Sequence, residues 1–138
     1  MTSTAITART TTTRTLWRPT AVAAVVAAGA ATAVAAIAQQ AGASLEIDGE
    51  AIPLMGFFQM VLICSAIGLA AAVGIRRWSA APRQTFVRTA VALTALSFIP
   101  DLLVSAGTST RITLMVTHIV AAVIVVPVVA KRLSTGRG

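Results

Sequence analysis

Few residues in this chain can carry chemistry, and most of them stand in apolar surroundings. Asp101 follows Pro100 in TALSFIPDLLVS (Thr94 to Ser105), His118 lies in MVTHIVAAV, and Gln59 lies in GFFQMVLIC. A carboxylate, an imidazole and an amide can bond one helix to another, carry a proton or hold a small polar ligand. Arg111 and Ser97 stand close enough in sequence to join them. Other chemistry has no residues to run on. There is no paired-carboxylate set, no Cys/His metal spacing and no Gly-rich phosphate loop. One histidine cannot supply bis-His haem ligation within a single chain. Ser65, Ser97 and Ser105 have no base at motif spacing, which argues against a hydrolase. No catalytic residue, metal or cofactor is therefore expected.

The elements that must position these groups follow from composition. Of 138 residues 57% are hydrophobic and 11% charged, against roughly 25% charged in ordinary soluble domains. The mean hydropathy is +0.87. Apolar runs of about 18 residues or more read as transmembrane helices, because backbone in lipid must bond to itself. Four such runs are present, over about 20–38, 54–75, 86–105 and 112–130. The expected fold is all-α, an integral membrane bundle of four antiparallel helices spanning 19–132. Residues 1–18, Thr-rich with spaced arginines, read as a disordered tail, and residues 133–138 as a short second tail. Pro19 suits the first turn of the first helix.

Charge sets the orientation. Ten of the eleven Lys and Arg residues fall on one side of the spans and only Arg111 on the other. The positive-inside rule then places both termini in the cytoplasm. Glu46, Asp48 and Glu50 fall in the first outer loop, in agreement. Trp17 and Trp78 sit where interfacial anchors belong, and the inner arginines suit anionic lipid heads. The net charge of +7 lies between apolar runs, with few aromatics for base stacking, so nucleic-acid binding is not expected. The segment ending AIAQQ resembles a signal peptide cleaved after Ala38. Its apolar stretch of about 19 residues exceeds the usual 7–15, so the expectation keeps it as a span.

Helical period and depth gather the polar residues. At about 1.5 Å per residue, Asp101 lies roughly 6 Å below the outer end of the third span. His118 lies roughly 9 Å deep on the fourth and Gln59 roughly 8 Å deep on the second. Thr94, Ser97 and Ser105 fall within about 40° of Asp101 on the helical wheel. Arg111 stands two turns above His118. The expected site is an outer-leaflet layer of Asp101, His118, Gln59, Arg111 and Ser97, with Pro100 and Pro127 as helix kinks. An aspartate at the centre of a span costs about 2.5–3.5 kcal/mol and less toward the interface, so a partner or internal water is required. Small residues at four-residue spacing (Ala28, Thr32 and Ala36; Gly29 and Ala33; Ser65, Gly68 and Ala72) offer close helix packing, within the bundle before between copies. Cys64, in an apolar run, reads as a small buried residue.

The run LSFIPDLLVS, AGTSTRITL and THIVAAVIVVP, within Thr94 to Pro127, resembles a domain-of-unknown-function family of small four-span membrane proteins of actinobacteria. That family tends to carry a Leu/Ser-rich third span ending in a Pro-containing element, then a short Thr/Ala-rich loop. A fourth span of the pattern Met-His, small apolar residues and Ile-Pro follows. Thr117 stands where the family often has Met, while His118 and Pro127 match. The resemblance implies the four-span topology and no activity. Three functions stay open on the residues. One is a non-enzymatic membrane component or accessory subunit in the cell membrane, packing against lipid, itself or other membrane proteins. The second is a small oligomeric proton-linked transporter using Asp101 and His118, and the third is a membrane-embedded enzyme.

Overall fold

A computed structural model gives the structure; it describes residues 4–134, with side chains from Trp17 onward. Residues 1–3 and 135–138, Arg137 among them, lie outside the described residues, so the two expected tails are covered only in part. Helix α1 is Thr4–Gln40, α2 Leu54–Trp78, α3 Pro82–Leu103 and α4 Thr108–Ser134. A two-stranded hairpin, β1 Glu46–Ile47 with β2 Glu50–Ala51, stands between α1 and α2. All four helices are long and apolar enough to cross a membrane, over Trp17–Gln40, Leu54–Trp78, Pro82–Leu103 and Thr108–Ser134.

Helix ends differ from the sequence expectation in ways the backbone explains. α1 begins at Thr4, so the segment read as a disordered tail is helical from that residue on. No Gly or Pro stands between Thr4 and Arg18. A helix nucleated by the apolar span can therefore propagate backward, gaining one bond per residue fixed. Pro19 consequently lies inside α1, where it removes the bond to the Thr15 carbonyl, instead of at its first turn. α3 stops at Leu103, with Val104 extended as its C-cap, so Ser105 is off the helix and off the Asp101 face. α4 starts at Thr108, one turn earlier than expected.

The helices close a four-cornered bundle. α1 packs on α2 and α4, and α3 packs on α4 and more sparingly on α2. Tie points at the two ends fix the up-and-down order. At one end the Asp48 N–H donates to the Ser105 carbonyl (3.0 Å), joining the first loop to the third. At the other, Ala81, Arg83 and Gln84 meet Leu133 and Ser134 around one shallow hollow. The first end carries the acids of the hairpin and the second the basic residues Arg76, Arg77 and Arg83.

Packing relies on small residues in the middle and larger ones at the ends. α1 buries Ala24, Ala27, Ala28, Ala31 and Ala35, and α4 buries Thr110, Thr113 and Thr117. Alanines let helix backbones approach closely, which suits the broad α1–α4 contact. Of the small-residue pairs on α1, Ala28 is buried while Gly29 and Ala33 face outward. At the acidic end Leu45, Ala43, Ala35 and Phe57 form one cluster. At the basic end Ala72, Phe86, Val129, Ala130 and Leu133 form another. Ser65 and Ala72 turn α2 inward, and this rotation carries Cys64 to the exposed side, contrary to its expected burial.

The hairpin is a feature the hydropathy reading passed over. Asp48 (φ 52°) and Gly49 (φ 83°) form its two-residue turn. Two successive positive φ values are what the Asp-Gly pair of a type I′ turn supplies. Leu45 also has positive φ (48°), a conformation that costs a branched side chain about 1–2 kcal/mol. Its full burial among Ala35, Ala43 and Phe57 offsets that cost.

Candidate functional site

Two of the five expected site residues meet. Asp101 on α3 and His118 on α4 bring Oδ2 and Nδ1 to 3.0 Å. The Asp101 side chain is 10% exposed and that of His118 37%, so the carboxylate is enclosed while the imidazole opens to the bundle surface. Neither atom makes a well-aligned hydrogen bond. The contact is therefore one of charge and dipole, strongest when the imidazole carries its proton. Phe98 completes the site, its ring 6.4 Å from the imidazole at 65°, an edge-on packing. The sequence held the signal for Phe98: it precedes Asp101 by three residues and so shares its helix face.

Pro100 stands beside the carboxylate and inside α3. It removes the bond to the Leu96 carbonyl and loosens the turn in which Asp101 sits. Pro127, likewise inside α4, removes the bond to Val123 nearer the basic end. Both prolines are exposed.

The other expected members go elsewhere. Arg111 makes no ion pair with Asp101; its Nη2 donates to the Val104 carbonyl at 2.9 Å. A cation there sits at the negative end of that helix, on a carbonyl that also accepts from the Ala106 N–H at 2.9 Å. Its Nε is buried without a partner. Ser97 turns back on its own helix, Oγ donating to the Thr94 carbonyl at 2.6 Å. Thr94 does the same to Ala90 (2.9 Å). Gln59 is exposed on the outer side of α2 and does not join the layer. Shared depth had placed it there, but depth says nothing of helix rotation.

The buried threonines of α4 follow the pattern of Ser97. Thr113 donates to Ser109 (2.8 Å) and Thr117 to Leu114 (2.7 Å). Thr110 lies 3.4 Å from the Ser44 hydroxyl in the first loop. Among the described residues no group of three or more His, Cys, Asp or Glu is placed to hold a metal ion.

Four apolar helices joined by loops, with an Asp–His contact held between two of them, define a multi-pass membrane bundle. The chain belongs to a family of unknown function (DUF6069), whose model matches residues 11–135. The match extends across the Ala-rich first half, well beyond the Thr94 to Pro127 run that carries the resemblance. No curated protein and no solved structure matches the chain.

Proposed function

We propose that this protein is a non-enzymatic component of a bacterial cell membrane, an accessory subunit whose work is to pack against other membrane helices. The observation that carries this reading is where the polar groups go. Ser97, Thr94, Thr113 and Thr117 bond their own helix backbones, and Arg111 caps the end of α3. Asp101 and His118 face each other across the α3–α4 contact, where their attraction ties the two helices together. Such interhelical polar contacts average about 0.6 kcal/mol and rarely exceed 1.7. In this reading both termini are cytoplasmic, and the pair lies in the outer half of the bilayer.

Affinity capture of the intact protein from native membranes in mild detergent tests the accessory role. A stoichiometric foreign membrane partner in the mass of the complex is expected. Recovery of bare monomer alone counts against the reading.

The half-exposure of His118 favours a second reading, an oligomeric proton-linked carrier in which the pair titrates. That version requires Asp101→Asn and His118→Ala to change a transport or pH-stress phenotype in cells. Unchanged phenotypes in both would remove it.

A further inference from the structure

Gln59 is an exposed amide on α2 that the bundle does not use, on a face that lipid covers in the membrane reading above. It stands five residues into α2, about 8 Å along the axis from Leu54, among Phe58, Met60 and Val61. An amide left without a partner in hydrocarbon costs free energy comparable to a lost hydrogen bond or more. Rotation back into the bundle is closed to it. The buried residues of α2 are Phe57, Ser65 and Ala72, which lie about 160°, 240° and 220° from Gln59 at 100° per residue. Gln59 therefore points almost directly away from the other three helices.

The residues that share its direction form a seam. Gln59, Ile63, Ala66, Ala70 and Val73 are all exposed. Their spacing is four, three, four, three, and all five fall within about 40° of one another's mean direction. That is the a/d spacing of two helices crossing at about 20°. Ala66 and Ala70, a small-xxx-small pair, permit close approach along its middle.

We propose that this face of α2 is a homodimer interface, in which Gln59 bonds the Gln59 of a second copy. A second copy is the occupant because an amide is its own complement. Its NH₂ donates and its carbonyl accepts, so two amides on a two-fold axis exchange a pair of bonds. Copies inserted with the same orientation meet with α2 parallel and Gln59 at equal depth, as that exchange requires. The proposal deepens the packing role above by naming one face and one partner, but it uses neither Asp101 nor His118.

The chain's single cysteine makes the test clean, because Cys64 lies about 140° from Gln59, off the seam. In a Cys64→Ala background, Ala66→Cys and Ala70→Cys placed on the seam should oxidise to covalent dimer in membranes, several-fold more than the native chain does through Cys64. Adding Gln59→Leu should weaken association about three- to tenfold in bicelles, and Gln59→Asn should restore part of it. Equal cross-linking on and off the seam, monomer throughout, or no effect of Gln59→Leu would each overturn the proposal. Capture of a foreign partner by the Gln59→Leu chain would leave the accessory role standing while the dimer fell, so the two readings fail separately.

Discussion

At the scale of single residues, Asp101 answers the question its position raises. A carboxylate beside a proline in a lipid-embedded helix is tolerated because the α3 turn is loosened there and an imidazole from α4 lies 3.0 Å away. Arg111 settles a different need, adding a charge-assisted bond of 2.9 Å to the carbonyl just past the end of α3. Arg111→Met should therefore lower unfolding stability by about 1 kcal/mol, read by denaturation in mixed micelles. It should leave the Asp101–His118 contact intact. Leu45 carries more weight. Leu45→Ala removes a fully buried side chain from the cluster at the acidic end, and a loss of about 2–5 kcal/mol is expected in the same assay. Which polar residues would matter was readable from the sequence only as depth. Asp101 and His118 share a layer and do meet. Gln59 shares that layer and does not, because helix rotation depends on packing partners that periodicity alone does not name.

At the scale of elements, the four spans were readable because lipid permits an unpaired backbone so few alternatives. Their ends were less so. α3 stops at Leu103 because Val104 turns extended, and this single change removes Ser105 from the polar stripe and makes its carbonyl an acceptor for Asp48. The hairpin that supplies that bond had a short-range signal, Asp-Gly between two-residue strands, which hydropathy averaging across the loop conceals. Gly49 holds φ 83° in that turn. Gly49→Val should cost about 1–2 kcal/mol and speed proteolysis of the first loop, while Glu50→Gln on the same strand should do neither. The α1 start at Thr4 marks where composition misleads, since a Thr-rich segment without Gly or Pro can still continue an existing helix.

At the scale of the whole molecule, helix count, helix length and charge asymmetry agree on a multi-pass membrane protein. With Cys64 replaced by Ala, Ser44→Cys should react with a membrane-impermeant maleimide from outside intact cells, and Ser79→Cys only after permeabilisation. The opposite labelling would invert the topology. In the proposed role, Asp101 and His118 act above all as a tie between α3 and α4 within the folded bundle. Reversible unfolding in bicelles of the native chain, Asp101→Leu, His118→Leu and the double variant tests that tie directly. Each single variant should be less stable than the native chain, with a coupling of about 0.6–1.7 kcal/mol between the two positions. Additive effects, or single variants as stable as the native chain, would contradict it and point to a pair kept for function at the expense of stability.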